Sequence, residues 1–301
     1  MFVFLNVGKK VRSVYIFLTI ILTVNHCLFS QNFLEYVGAI KLNDSSVITY
    51  RVNLNFQGSK VEGFSVTDFG GEHETKSNLV GYYDEVKNKL SFHEFGIVYT
   101  KSIITHKDFC FIYFQPANYK VGKTAYFKGE FKGQFSDGVQ CTNGEIYLNS
   151  VENINERMEK IAKRINKSNR VPDSIKTKFN NLKLMDKVNM NVLKSSKTLS
   201  VFTKSKTINL ELYDGGQEDG DIISIKVNGK LVLKDFTVTA QRKVLPIEIS
   251  TDKTSIVLIA ENTGTISTNT AVIEINDGVN NIRALTNLKA GETTQVDILK
   301  E

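Results

Sequence analysis

The sequence predicts an all-β protein in which two β-rich regions flank a basic helical segment. Three observations support this prediction. Residues 36–148 consist of short runs rich in β-branched and aromatic residues, separated by polar or glycine-bearing turns. The hydrophobic period becomes helical after Glu152, and residues 207–301 return to strand-like runs. A length of 301 residues also favours two domains.

Residues 1–30 have the layout of a secretory signal peptide. Basic residues at Lys9, Lys10 and Arg12 precede an apolar run of 11 residues, Val14–Val24. That run is too short to cross a bilayer, which takes about 20 apolar residues. We therefore expect cleavage after Ser30, no stable transmembrane segment afterwards, and a final location in the periplasm, at the cell surface or in the medium.

A lipoprotein is the alternative interpretation of this segment, with Cys27 as the lipidated residue. A lipidation motif has a small residue directly before the cysteine, whereas this chain has His26 at that position. We therefore favour cleavage without lipid.

Residues 31–150 are predicted to form a meander of seven or eight strands that closes into a barrel or folds into a sandwich. Closure would remove the exposed strand edges that invite aggregation. Glycines inside the strand patterns, such as Gly63, Gly81, Gly129 and Gly133, suit the bends of a curved sheet.

Two cysteines, Cys110 and Cys141, remain after signal cleavage. Two cysteines in an exported protein indicate one disulfide, and we expect it to join neighbouring strands of the first domain. Two buried free thiols are the alternative.

Residues 151–206 are interpreted as a helical linker with 14 basic and 5 acidic residues. Ile154, Met158, Ile161 and Ile165 are spaced as one face of a helix, and Asn153 with Glu156 suggests its N-cap. We favour a solvated connector over a basic region that binds an anionic surface polymer or nucleic acid, because aromatic residues that could stack on bases are nearly absent.

Residues 207–301 contain about eight strand patterns, the size and turn spacing of an immunoglobulin-like β-sandwich. Asn228-Gly229 lies between two alternating apolar runs and predicts a two-residue hairpin turn. The segments LYDGGQEDGDIISIKVNGKLVL, LIAENTG and NTAVIEINDG resemble a C-terminal β-sandwich module of secreted proteins from Bacteroidetes-type bacteria. That resemblance covers residues 205–300 and implies a fold and export, but no activity.

The stretch YDGGQEDGD before this hairpin raises the question of a calcium site. Asp214, Glu218, Asp219 and Asp221 supply the oxygens that calcium prefers, but their spacing does not fit a helix–loop–helix calcium loop. We expect instead an exposed hairpin connection without metal or other cofactor, in which the carboxylates turn outward into water.

A second candidate site lies in the first domain. Along the predicted strand KLSFHEF, Glu94 and His93 point to opposite faces, so one of them points inward. An inward Glu94 or His93, with Tyr82 and Tyr99, could bind a small polar ligand inside a barrel.

No nucleophile–base pair, zinc motif, P-loop or dinucleotide fingerprint can be found in the chain, so no catalytic residue is predicted. The sequence favours a non-enzymatic protein that binds a protein or glycan at the cell surface or outside the cell, with no nucleic-acid partner expected. A small-ligand carrier that uses the barrel is the first alternative, and a hydrolase the second.

Export generates the first testable prediction. The secreted protein is expected to begin at or near Gln31 and to carry no lipid. Intact-mass measurement of secreted protein checks both points, and a lipid adduct on Cys27 would contradict them.

Overall fold

A computed structural model describes residues 33–103, 108–180, 191–216, 218–265 and 268–301, with side chains omitted at 178–180. The predicted signal peptide and Cys27 lie outside these residues. The described chain is predominantly β-structure, as predicted, and forms one compact unit from Phe33 to Glu301.

The first eight strands form a closed antiparallel barrel. Each strand pairs with the next, and β8 returns to pair with β1, so the predicted meander does close. The strands are β1 (Phe33–Leu42), β2 (Val47–Gln57), β3 (Lys60–Thr67), β4 (Thr75–Asp84), β5 (Lys89–Thr100), β6 (Phe111–Asn118), β7 (Tyr126–Gln134) and β8 (Gln140–Ser150).

The barrel interior is filled by side chains. Alternation along each strand sends every second residue inward, as Tyr50, Val52 and Leu54 show on β2. At one end, Tyr36 and Tyr119 share a hydrogen bond of 2.8 Å between their hydroxyls, and Phe127 packs edge-on against both rings. An eight-stranded barrel is just wide enough for side chains to fill it, and aromatic residues do so here.

Cys110 and Cys141 form a disulfide with a Cα–Cα distance of 6.1 Å. The pairing is the predicted one, but the expectation of neighbouring strands is wrong. Cys110 directly precedes β6 and Cys141 lies on β8, so the bridge crosses the intervening β7 at Gly133. A Cβ at Gly133 would lie 2.5 Å from the Cys110 Sγ, so the absence of a side chain there makes room for the bridge.

The barrel is followed by two helices, α1 (Val151–Lys167) and α2 (Asp173–Asn180). The N-cap of α1 is Ser150, whose hydroxyl accepts from the Asn153 N–H, rather than the Asn153–Glu156 pair expected from sequence. No helix of the described residues is long and apolar enough to cross a membrane.

The expectation of a helical linker up to residue 206 is wrong at its C-terminal end. Residues 191–203 form two strands, β9 (Asn191–Lys194) and β10 (Thr198–Thr203), that pair in parallel with strands near the C-terminus of the chain. These pairings join residues about a hundred positions apart. The hydrophobic pattern within a short stretch of sequence cannot predict such distant partners. Residues 181–190 lie outside the described chain.

The remaining strands complete two sheets whose inward faces share one apolar core. One sheet has the order β13-β12-β15-β18-β10, and the other the order β14-β11-β16-β17-β9. The new strands are β11 (Thr207–Tyr213), β12 (Ile222–Val227), β13 (Lys230–Thr237), β14 (Lys243–Glu248), β15 (Lys253–Ala260), β16 (Val272–Asn276), β17 (Asn281–Asn287) and β18 (Thr293–Lys300).

The predicted Asn228-Gly229 hairpin is confirmed. It joins β12 and β13, and both turn residues have positive φ, 49° and 80°. A two-residue turn of this kind matches the right-handed twist of the flanking strands.

Strand β5 joins the barrel to this second β region. Its first part pairs with β6 and closes the barrel, while Tyr99 and Thr100 at its end pair with β10. Ile97 and Phe111 from the barrel pack in one cluster with Phe202 of β10. The two β regions therefore share a continuous sheet and an apolar contact, and the basic segment does not isolate one from the other.

The disulfide generates the second prediction. A Cys110→Ala/Cys141→Ala double variant should lose about 3–4 kcal/mol of unfolding free energy, because the bridge closes a loop with a sequence separation of 31 residues. Chemical denaturation of the protein measures the loss, and reduced wild-type protein is the matched control. A thiol titre of two in the native wild-type protein would contradict the bridge.

Candidate functional site

Glu94 is buried inside the barrel. Its Oε1 accepts hydrogen bonds from the hydroxyls of Tyr50 at 2.9 Å and Ser65 at 2.6 Å, and its Oε2 accepts from the Ile112 N–H at 2.8 Å. Burial raises the pKa of Glu94, and these three donors oppose the shift by stabilising the carboxylate. The three donors and the surrounding core side chains occupy the space that a ligand at this carboxylate would need.

The structure does not bring together the four residues predicted to line an interior site. Only Glu94 points into the barrel; His93 is on the outer wall, and Tyr82 is 57% exposed. Tyr99 lies at the junction with β10, where its hydroxyl donates to Glu74 at 2.9 Å. Burial and the Glu74 charge raise the pKa of Tyr99 far above its ordinary value.

Two of these residues instead line a groove of about 480 Å³ on the outside of β3–β6. On β6, Gln115 and Pro116 lie opposite the single residue Ser91 of β5, and this bulge interrupts the ladder between the two strands. Tyr82 and His93 are part of the lining. The complete lining is Lys60, Val61, Val80, Gly81, Tyr82, Ser91, Phe92, His93, Tyr113, Phe114, Gln115 and Pro116.

The lining of this outer groove combines aromatic rings with hydrogen-bonding groups. The ring of His93 stacks on that of Tyr113, with centroids 5.1 Å apart and an interplanar angle of 4°. Ser91, Gln115 and Lys60 contribute a hydroxyl, an amide and an ammonium group to the same lining. The groove therefore offers apolar ring faces beside several donors and acceptors.

The same outer face continues along the barrel as a polar and aromatic surface. The register places Phe64, Asn78 and Phe95 in the next row of residues across β3, β4 and β5. Lys76 lies over the ring of Phe64, 4.1 Å from its centroid. Burial, and to a lesser extent the positive charge of Arg51, lower the pKa of Lys76 to about 8.

The acidic loop of the second β region differs from its predicted form. It does not make a hairpin, because β11 and β12 belong to different sheets and the loop crosses from one to the other. Two of its carboxylates also turn inward: Asp221 is 1% exposed and Asp214 is 8% exposed. The prediction of an exposed loop with outward carboxylates is therefore wrong for these two residues. Gln217, in the middle of the loop, lies outside the described residues.

Backbone N–H groups hold several of these carboxylates in place. Asp214 Oδ1 accepts from the Gly216 N–H at 2.7 Å, and Asp221 Oδ2 accepts from the Thr270 N–H at 2.6 Å. Glu218 Oε1 accepts from the Ala240 N–H at 2.6 Å, which directs Glu218 to a different neighbour. The described ranges contain no group of three or more His, Cys, Asp or Glu side chains that could jointly bind a metal ion.

Comparison with known proteins gives no relatives: no family model, no curated protein and no solved structure matches this chain.

Sequence reasoning missed the outer groove. The period-2 pattern of β5 separates His93 from Glu94, but the signal that would locate the groove is Pro116, which the structure places within β6. Proline lacks an N–H for the ladder and is therefore favoured at edges and bulges.

The buried carboxylate generates the third prediction. The pKa of Glu94 is higher in the folded state than in the unfolded state. Its titration therefore stabilises the fold most at pH values below the ordinary glutamate pKa of about 4.3. This stabilisation is lost as the pH rises through the folded-state pKa. Glu94→Gln should remove this part of the pH dependence. The amide can accept from the Ile112 N–H and donate to the Tyr50 and Ser65 oxygens, so the variant should fold.

Glu94→Leu should instead cost at least about 2 kcal/mol at every pH, because it leaves three buried donors without an acceptor. Unfolding free energies measured between pH 4 and pH 8 check both variants, with Glu62→Gln on the outer face of β3 as the control. An unchanged pH profile in Glu94→Gln would show that Glu94 does not titrate in this range.

Proposed function

We propose that this chain is an exported, non-enzymatic binding protein that holds a short segment of a glycan in the outer groove of β3–β6. The observation that carries the proposal is the combination of an aromatic, polar groove on the barrel wall with a barrel interior filled by its own side chains. Binding on the outer wall needs no opening of the barrel.

The chemistry of the groove favours a sugar. A pyranose ring has apolar C–H faces and hydroxyl groups around its edge. Aromatic faces carry negative charge density and attract the C–H groups, while Ser91, His93, Gln115 and Lys60 can pair with the hydroxyls. The groove volume of about 480 Å³ is within the usual range for small-molecule sites and suits one or two sugar rings.

The predicted signal peptide supports a location where surface or extracellular glycans are found. The resemblance of residues 205–300 to a module of secreted bacterial proteins supports the same location and an immunoglobulin-like form for the second β region. In this proposal the β-sandwich carries and orients the barrel, and no catalytic residue is assigned.

A protein partner for the same groove is the main alternative. A small-ligand carrier would need space beside Glu94, where three hydrogen-bond donors and the core side chains lie. A hydrolase would need paired carboxylates or a nucleophile–base pair oriented by a third group, and no Asp or Glu is among the described residues that line the groove.

Binding of the exported chain to an array of defined oligosaccharides, followed by calorimetry on the best ligand, tests the proposal. Tyr82→Ala and His93→Ala should each lower the affinity for that ligand about tenfold or more, because aromatic side chains dominate such contacts. Tyr126→Ala is the matched control, since Tyr126 is a similarly exposed tyrosine (49%) on β7 that does not line the groove.

Equal losses in the Tyr82 and Tyr126 variants would place the binding site elsewhere. Failure to bind any glycan, combined with Tyr82-dependent capture of a single protein, would favour the protein alternative instead.

A further inference from the structure

We propose that the ligand of the outer groove is an acidic oligosaccharide whose carboxylate or sulfate group binds Lys76 in a second subsite beside the groove. This inference rests on the proposed function and deepens it, because it gives the charge, the minimum length and the direction of the bound glycan. The second subsite consists of Phe64, Lys76, Asn78 and Phe95 on the outer face of β3, β4 and β5.

The second subsite continues the groove along β4. Alternation sends Val80, Asn78 and Lys76 in succession to the outer face, and Val80 already belongs to the groove lining. Four residues of an extended strand cover about 13 Å, so Lys76 is within reach of a chain that leaves the groove. The groove itself suits one or two sugar rings, so a glycan that also reaches Lys76 has at least three.

Phe95 and Asn78 offer the contacts that an additional sugar ring needs. They lie opposite each other on β5 and β4, and Phe95 is 47% exposed. An exposed aromatic face attracts the C–H groups of a sugar, as in the groove. The Asn78 side chain makes no hydrogen bond with the described residues, so its amide can pair with sugar hydroxyls.

Lys76 supplies a positive charge that forms no ion pair within the described part of the chain. Its ammonium group lies 4.1 Å from the centroid of the Phe64 ring, which directs the charge toward the second subsite. The nearby Arg51 on β2 differs, because it pairs with Glu35. A partly buried charge without an ionic partner is unfavourable, so an anion that binds Lys76 would replace the solvation that the ammonium group has lost.

The distribution of charge gives the glycan a direction. At the groove end, Lys60 Nζ lies 2.5 Å from Glu62 Oε1, so these two charges offset each other. The described lining of the groove includes no other Lys, Arg, Asp or Glu. The excess positive charge is therefore at the Lys76 end, and complementary charge fixes the register of a bound partner. The anionic group of the glycan is expected at that end.

The titration of Lys76 provides a way to detect the bound anion. Burial, and to a lesser extent Arg51, lower its pKa to about 8. Arg51 lies two strands away in the same row and pairs with Glu35. On the other side, Tyr99 is opposite Lys76 in the ladder, and its hydroxyl donates to Glu74. An anionic ligand favours the charged form of Lys76, so its affinity should fall as the pH rises through about 8.

A glycan array that holds each backbone in neutral, carboxylated and sulfated forms, at lengths of two to six units, tests the proposal. The best ligands should be acidic and have three or more units, and calorimetry should give them about tenfold higher affinity than their neutral counterparts. Lys76→Met should remove most of that preference. Lys128→Met is the matched control, since Lys128 also lies over an aromatic ring, 5.9 Å from the Tyr147 centroid, but does not line the groove.

Lys76→Arg separates the charge from the rest of the side chain. The arginine side chain stays charged up to about pH 12, so this variant should keep the preference for acidic ligands. In the wild type, the affinity for the acidic ligand should fall about tenfold between pH 7 and pH 9, because most of the free Lys76 loses its proton over that range. The same affinity should stay nearly constant in Lys76→Arg.

Equal or higher affinity for neutral forms would overturn this inference and leave glycan binding itself intact. An unchanged acidic preference in Lys76→Met, or full affinity for acidic ligands of two units, would overturn it as well. A carboxylated or a sulfated ligand supports the proposal equally, and the array shows which group is bound. Failure to bind any glycan would instead contradict the proposed function on which the inference rests.

Discussion

The architecture depends on the pairing of β5 with two different partners. The strand closes the barrel through β6 and then continues into the second β region through β10. Its pairing with β4 contains irregularities next to Gly96, which has a φ of 57°. Such bulges bend a strand and increase its local twist, so the end of β5 can leave the curvature of the barrel and meet a new neighbour.

A filled barrel restricts where this protein can bind other molecules. The interior packs aromatic and aliphatic side chains around Glu94, whose oxygens are satisfied by the protein itself. The surface on which the barrel could bind another molecule is therefore its outer wall. Every second residue of each strand points to that wall. On β4 and β5 that set includes Tyr82 and His93, and the β6 bulge turns their surroundings into a groove.

The sequence predicts local structure well here and long-range pairing poorly. The barrel meander, the Cys110–Cys141 bridge and the Asn228-Gly229 hairpin could be predicted because each depends on nearby residues or on a count of two cysteines. Strands β9 and β10 could not, since their partners are near the end of the chain. The same limit applies to the acidic loop: its composition suits a hairpin, but β11 and β12 pair within different sheets. For the candidate sites, the period of two correctly separates Glu94 from His93 but does not say which one faces inward.

The two partners of β5 also impose an order on folding as the chain is made. All eight barrel strands lie before residue 151, so the barrel can close as soon as that part of the chain is available. Strand β10 needs β18, which ends at Lys300, before its own ladder is complete. Pairings with such large sequence separation form slowly, because the entropy of closing the loop is lost before the contacts are gained. Until β10 pairs with it, the end of β5 presents an unpaired edge beside Ile97 and Phe111, and a chain interrupted before β10 would leave that edge open to other unfinished chains.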